Sequence, residues 1–418
     1  MARTRILADI TPLRESAGFR ALFIGQIVSF IGSQLTVVAV AYQVFLLTGS
    51  SLAVGLVSLV QLPPLLIGSL VGGAVVDSMD RRRVLIVMQL LLGLCSVVLA
   101  LNAMLDDPMV WPLYVVTAVA AGLSGLDRPA RSAAIPGMVP VRQLPAAFAL
   151  WQIQMTSGLA LGPALGGLVL SQAGVAGAFW IDAVTYLFAL SFCLRLPALA
   201  PEGGGTRVSL GSIAEGLRFI KGSRVLQGTF VIDINAMVFG MPRALFPALG
   251  LGVFGGDAST VGLLFAAPGT GALVGALTTG WVGRVRRQGV AVYVAVAVWG
   301  LAMIGFGLTD WLPLALLLLG VGGAADVVSA VFRNTILQTT VPDQLRGRLS
   351  AVHIAVVTGG PRLGDLESGA VAALTTPRIS VVSGGLACVA GVAVLAWLIP
   401  EFRRYRMPEP AIHSDPDG

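Results

Sequence analysis

The chain has 418 residues, of which 56% are hydrophobic and 11% charged, and a mean hydropathy of +0.87. Soluble domains carry about 25% charged residues, so this balance excludes one and indicates a protein that lives in lipid. The net charge of +6 and the pI of about 9.8 need no nucleic-acid partner, because the basic residues gather in a few short loops.

Apolar stretches of about 20 residues, enough to cross roughly 30 Å of hydrocarbon as a helix, recur along the whole chain. Residues 1–18 form a basic, amphipathic lead-in with no apolar run and cleavage site, so no signal peptide is expected. Twelve spans are predicted after it, at 19–46, 52–76, 83–104, 109–131, 144–171, 175–197, 225–252, 259–283, 289–308, 311–338, 346–373 and 378–400. The polar stretch from Pro201 to Lys221 divides them six and six. The expected organisation is a lead-in at 1–18, a six-helix bundle at 19–198, a central loop at 199–224, a second bundle at 225–402 and a tail at 403–418 expected to be disordered.

The loops alternate in charge. Arg3, Arg5, Arg14 and Arg20 share one side with Arg81 to Arg83, Arg142, Arg207 to Arg224, Arg284 to Arg287, Arg346, Arg348 and Arg403 to Arg406. The other side receives Asp106, Asp107, Asp257 and Asp310, with Arg378 as its one basic residue. Arginines near span ends stay on the cytoplasmic side, so both termini are expected there, in a multi-pass protein of a cell inner membrane.

Enzymatic chemistry finds no support. No loop ends in Gly-Lys-Ser or Gly-Lys-Thr, and Lys221 is the only lysine, so a nucleotide-driven pump is not expected. The histidines, His353 and His413, lack metal-site spacing, and Cys95, Cys193 and Cys388 are scattered through spans. No metal or other cofactor is expected.

The halves carry an internal echo. Arg131 precedes Pro140 by nine residues, with Gln143-Leu144 following; Arg333 precedes Pro342 by nine, with Gln344-Leu345 following. Gly280-Trp-Val-Gly-Arg284 after the eighth span echoes Gly73-Ala-Val-Val-Asp77-Ser-Met-Asp80-Arg81-Arg82-Arg83 after the second. Duplicated bundles of this kind build alternating-access carriers, with the substrate site between them near mid-membrane.

On these residues the sequence resembles the major facilitator superfamily and, within it, the enterobactin-exporter branch. Gly73, Asp77, Arg81 and Arg82 match the superfamily's loop motif between the second and third spans, with Ser78 where a base is usual and Asp80 where glycine is usual. Gly158, Gly162, Pro163, Gly166 and Gly167 resemble the motif of its antiporters. Further likeness to the branch lies in Glu215-Gly-Leu-Arg-Phe-Ile, in Ala236 through Pro247 and in Gly347-Arg-Leu-Ser-Ala. The resemblance implies an all-α fold of twelve transmembrane helices in two six-helix bundles with pseudo-twofold symmetry. It also implies a proton-coupled exporter, an antiporter of siderophore or related small molecules. Broad multidrug efflux is the alternative, and a non-transporting receptor or scaffold a distant one. The expected partners are a small-molecule substrate, protons and the lipid bilayer; a monomer is expected.

Physical roles can be assigned beside these motifs. Asp77 is expected to accept bonds from the N–H groups of a neighbouring helix start, a latch that breaks when the carrier changes state. The glycines around Pro163 suit a rigid, closely packed hinge region, although ordinary helix packing uses the same residues. Ionisable residues inside spans are costly, by at least about 2.5 kcal/mol each, unless they meet a partner or a cavity. Asp182, Asp233 and Asp326 are candidates to carry a proton, and Asp326 and Arg333, seven residues apart, share a helix face. Arg128, Arg131, Arg243, Arg333, Arg362 and Asp365 are candidates to line the substrate cavity, with Trp151, Trp180 and Phe239 able to stack on rings. For any single acid, a static ion pair is as good a reading.

Overall fold

A computed structural model describes residues 9–200 and 210–407. The first eight residues of the lead-in, residues 201–209 of the central loop and the tail from 408, with Arg3, Arg5 and Arg207, lie outside the described residues. The helices in chain order are α1 (Thr11–Glu15), α2 (Ala17–Thr48), α3 (Ser51–Ser78), α4 (Arg81–Ala103), α5 (Trp111–Ala134), α6 (Leu144–Cys193), α7 (Leu210–Gly222), α8 (Arg224–Phe239), α9 (Phe246–Ala248), α10 (Ala258–Leu277), α11 (Gln288–Leu308), α12 (Leu312–Thr340), α13 (Asp343–Leu374), α14 (Pro377–Leu398) and α15 (Pro400–Arg404). No strand occurs among the described residues.

Local chemistry sets the boundaries. The side chains of Ser16, Ser50, Asp80, Ser223, Asp257 and Thr376 each accept an N–H of the first turn that follows them, relieving the orphan donors at a helix start. Gly49 ends α2 at φ 63°, a left-handed conformation that glycine adopts without strain. Gly174, at φ 68°, bends α6 into two arms, where the sequence pattern places the boundary between the fifth and sixth spans.

Among the described residues, nine stretches are long and apolar enough to cross a membrane. The bent α6 is one of them and supplies two arms. Helices α5 and α13 are of spanning length too, but their charged residues hold them apart from the other nine. Together these make twelve rods, in agreement with the expected pattern and consistent with a multi-pass membrane protein.

Three features depart from the predicted spans. The seventh does not run unbroken from 225 to 252: α8 stops at Phe239, a 3₁₀ turn follows at Arg243–Leu245, and α9 leads into a π-helix at Leu249–Val253. Pro242 lacks an N–H to donate, so the helix cannot continue through it, and Trp299 Nε1 donates to the freed Gly240 carbonyl at 2.8 Å. The eighth span ends at Leu277 rather than 283, giving way to a 3₁₀ turn at Thr279–Arg284. The central polar stretch also holds a helix, α7, whose Ile220 packs with Leu226, Phe230, Leu337 and Val352 beneath the second half.

In the first half α2 and α4 pack on α6, and α3 on α5; in the second, α11 lies against α12 and α14, and α8 against α13. The halves meet along two seams, α6 with α10 and α3 with α13. Phe402 of α15 is fully buried, its ring edge-on to Tyr293 at 5.2 Å, which fastens the end of the last span to α11.

Candidate functional site

The two ends of the molecule are built differently. At the end carrying Asp106, Asp107 and Asp257, one apolar cluster spans both halves: Val38, Val44, Leu99 and Phe179 pack with Ala244, Ala258 and Val261. At the basic end each half has a separate core, with Phe19, Val84, Leu85 and Ala134 in one and Leu226, Leu337 and Leu349 in the other. The seams show the same bias. A Cβ on Gly167 would stand 2.7 Å from Gly262 Cα across the α6–α10 seam, and Gly369 lies against the Ser51 carbonyl across the α3–α13 seam. Only glycine permits such approach. Apolar packing and close glycine contacts thus join the halves toward the acidic end, while at the basic end each half keeps its own core.

Several ionisable side chains are buried within the two halves. Arg333 of α12 is buried at 2% exposure and ion-paired to the equally buried Asp233 of α8 through Nη1. Its Nη2 lies 3.6 Å from Asp326 Oδ1, two turns away on the same helix face, as the seven-residue spacing requires. Asp326 keeps 28% of its side-chain surface exposed. One arginine is thus shared by two carboxylates, one locked and one accessible, and the trio carries a formal charge of −1.

The first half has a related arrangement. Arg131 pairs with Asp127 one turn before it on α5, and Gln89 Nε2 donates to Asp127 Oδ1 at 3.4 Å. Beside them Gln26, Trp151, Gln154 and Arg131 line a cavity of about 20 Å³, room for about one water. Both polar atoms of the Gln26 amide and Nε2 of Gln154 have no protein partner. Asp182, in the second arm of α6, is 1% exposed and lies away from this cavity. It accepts the Thr36 and Ser96 hydroxyls at 2.6 and 2.7 Å, with Thr185 at 3.4 Å, and has no basic partner among the described residues.

Arg243 and Asp365, expected to line the substrate cavity, lie in the seam between the halves. Asp365 of α13 accepts the Ser58 hydroxyl of α3 at 2.7 Å, the Ala244 N–H at 3.2 Å and Arg243 Nη2 at 3.3 Å. Two of these three contacts come from the broken seventh span, which turns residues 243 and 244 toward α13. Arg128 and Arg362 make no ion pair among the described residues; Arg362 Nη1 donates to the Thr358 carbonyl at 2.7 Å.

In the loop motif Gly73 has open space around it, and Asp77 is exposed with no hydrogen bond or ion pair among the described residues. The expected bond to a neighbouring helix start is not made among the described residues. Asp80 does the capping work instead. It accepts the N–H of Arg82 at 2.9 Å and of Leu199 at 3.2 Å, while Arg82 Nη2 donates to the Leu194 carbonyl at 2.7 Å. Arg81 ties in through its backbone, its N–H reaching the Leu199 carbonyl at 3.1 Å. These bonds fasten the start of α4 to the end of α6.

The antiporter-like motif is a packing surface. Gly158 faces the Phe30 ring, Gly162 the Gln34 side chain and Gly166 the Leu35 backbone, all on α2, while Gly167 and the Pro163 carbonyl face Gly262 on α10. Of the three aromatics, Trp151 lines the small cavity, Trp180 is 39% exposed on the outer surface and Phe239 packs against the second-half core. The branch-like stretches at Glu215 and Gly347 come together: Glu215 of α7 pairs with Arg348 of α13. Arg378, alone on the acidic side, pairs with Asp310 at 2.7 Å and donates to the Gly307 and Leu308 carbonyls.

Sequence reasoning missed Ser58, Thr36, Ser96 and Gln89 as partners of these acids. Hydroxyls and amides are common in spans, and nothing local distinguishes one that faces a carboxylate. Asp80 left a signal, an acid immediately before the helical run Arg81–Arg83, which is an N-cap pattern.

Comparison with known proteins agrees with this architecture. The family described as transmembrane secretion effector matches residues 7–414. The enterobactin exporter EntS of Citrobacter koseri is 30% identical over 418 residues, covering 100% of this chain and 99% of that protein. The protein of the same name from Shigella boydii is 29% identical over 406 residues, 97% of each chain. Among solved structures, the nucleoside transporter NupG superposes with a TM-score of 0.70 at 14% identity, covering 93% of this chain and 100% of that one. A POT family transporter does so at 0.72 and 12% identity, covering 92% and 96%.

Proposed function

Because the chain belongs to the transmembrane secretion effector family of the major facilitator superfamily, a family of transporters and not enzymes, we propose that it exports a siderophore or related small molecule from the cytoplasm by exchange against protons. The likeness to enterobactin exporters over the full length of both chains carries the choice of cargo. The basic loops set the orientation: with the basic face cytoplasmic, the end where each half keeps its own core faces the inside of the cell, and cargo loads there.

Support for proton exchange comes from the trio around Arg333. Asp233 is consumed by its buried ion pair, whereas Asp326 shares the same arginine at longer range and keeps part of its side chain exposed. A proton on Asp326 releases its hold on Arg333 without breaking the Asp233 pair, so one carboxyl can titrate while the structure persists. Asp182, enclosed by hydroxyls, is the second candidate. In the opposite state the basic ends approach, and Asp77 gains the helix start it lacks here, closing the latch while the seams at Gly167 and Gly369 part.

The test is accumulation in cells with and without the chain, measuring siderophore outside and cationic drugs inside, with Asp326→Asn alongside. Siderophore release abolished by that variant is the expected result. Drug retention that falls while siderophore release stays flat would move the reading to multidrug efflux, and no change in either would remove export.

A further inference from the structure

Within two turns of α12, three buried polar atoms make no hydrogen bond among the described residues: Asp326 Oδ1, Ser329 Oγ and Arg333 Nε. Ser329 is fully enclosed, at 0% exposure. It stands three residues after Asp326 and four before Arg333, the two spacings that make neighbours on a helix surface. A buried hydroxyl without a partner is destabilising. Other hydroxyls in the spans avoid this by bonding the carbonyl one turn back, as Ser69, Thr117 and Thr335 do at 2.8, 2.6 and 2.8 Å. Ser329 makes no such bond, so its hydroxyl is available to another group.

The first half shows which group that is. Arg333 follows Arg131 by 202 residues, and Ser329 follows Asp127 by the same 202. Asp127 pairs directly with Arg131 one turn later on α5. The position one turn before the arginine is thus within reach of its guanidinium, and in the second half a neutral hydroxyl occupies it. A second acceptor is needed when Asp326 takes a proton, because Arg333, at 2% exposure, then keeps only Asp233. No other carboxylate stands in reserve on the helices around α12. Helix α10 carries no ionisable residue, α11 brings only Tyr293, which packs on Phe402, and α8 brings the already paired Asp233. Arg224 opens α8 and Arg284 closes the turn after α10, both at the basic end, while His353 of α13 meets the Phe230 ring at 6.2 Å, one turn before Asp233.

We infer that Ser329 is the alternate acceptor of Arg333: once a proton neutralises Asp326, the freed N–H of the guanidinium turns to the Ser329 hydroxyl, and it returns to Asp326 when the proton leaves. Ser329 is then a positioning residue for proton exchange, holding the arginine in place while the Asp233 pair persists. This rests on the proton-exchange reading above and deepens it. Because Ser329 gives Arg333 a partner only in the protonated state, it stabilises that state and strengthens proton binding.

The test uses the purified full-length chain in phosphatidylcholine nanodiscs, with the infrared absorption of protonated carboxyl groups followed across pH. The part of the signal absent from Asp326→Asn belongs to Asp326. Ser329→Ala is expected to weaken proton binding there about tenfold, moving the midpoint down by about one pH unit, the loss of one hydrogen bond from a charged donor. Ser329→Thr keeps the hydroxyl and should keep the parent's midpoint. Thermal midpoints separate this from a packing role. Above the titration range Ser329→Ala should match or exceed the parent, since the hydroxyl has no partner there, and below it the variant should be the less stable. An unmoved carboxyl midpoint in Ser329→Ala would overturn the role of Ser329 and leave proton exchange at Asp326 standing, as would stability lost equally at every pH. Absence of any titrating signal that Asp326→Asn removes would sink proton exchange at Asp326 and the switch with it.

Discussion

Asp233 and Asp326 show how one arginine gives two carboxylates different work. Removing Asp233 leaves Arg333 buried with only a 3.6 Å neighbour, so Asp233→Asn is expected to destabilise the protein by about 3 kcal/mol, seen as a lower thermal midpoint in detergent. Asp326→Asn leaves the locked pair intact and should keep that midpoint while abolishing proton-linked transport in vesicles. Equal stability losses in the two variants would refute this division. Outside the membrane, Asp257 caps α10, and the Ser259 hydroxyl with the Thr260 N–H holds its carboxyl below the usual carboxylate range. A depressed acid stabilises above its unfolded value, about 3.9, and loses that stabilisation as pH falls through the lower folded value. Amide exchange at Ser259 and Thr260 should therefore accelerate at acidic pH, and Asp257→Asn should remove that acceleration.

The helices that matter most are the irregular ones. A break at Gly240 to Pro242 turns the seventh span aside, and it is this turn that delivers Arg243 and the Ala244 N–H to Asp365 in the seam. Trp299 supports the break from α11 with a single hydrogen bond to the Gly240 carbonyl. Trp299→Phe keeps the ring and removes the donor, leaving a buried carbonyl unsatisfied at a cost of about 1–3 kcal/mol. A thermal midpoint unchanged from the parent would show that the break stands without it. The span was legible in the sequence as an apolar stretch, and Pro242 within it was visible too. What periodicity lacks is the partner that makes a break tolerable, because Trp299 lies 59 residues further along.

At the scale of the whole molecule, the shared apolar cluster at the acidic end and the two separate cores at the basic end describe one state of a two-state device. On the proposed reading, Asp77, exposed here, does its work in the other state. Asp77→Asn is therefore expected to raise the population open on the basic side, measured as a loss of the short-distance component between labels at Arg142→Cys and Arg284→Cys. An unchanged distance distribution would reduce Asp77 to a residue of the loop surface. Gly167 and Gly262, by contrast, act in the present state, where their bare backbones let α6 and α10 touch.

The sequence by itself determined the number of spans, the alternation of loop charge and the presence of ionisable residues inside the spans. Hydropathy, arginine placement and burial cost act locally along the chain and need no partner to be read. The seven-residue spacing of Asp326 and Arg333 likewise placed both on one helix face before any fold was known. Only the tertiary structure decided which arginines are spent and which are free. Arg131 and Arg243 look like Arg128 and Arg362 in the sequence, but pairing depends on residues as far away as Asp365, 122 positions from Arg243. The end at which the halves are joined was equally invisible, since glycines such as Gly167 and Gly262 acquire meaning only when two distant helices meet.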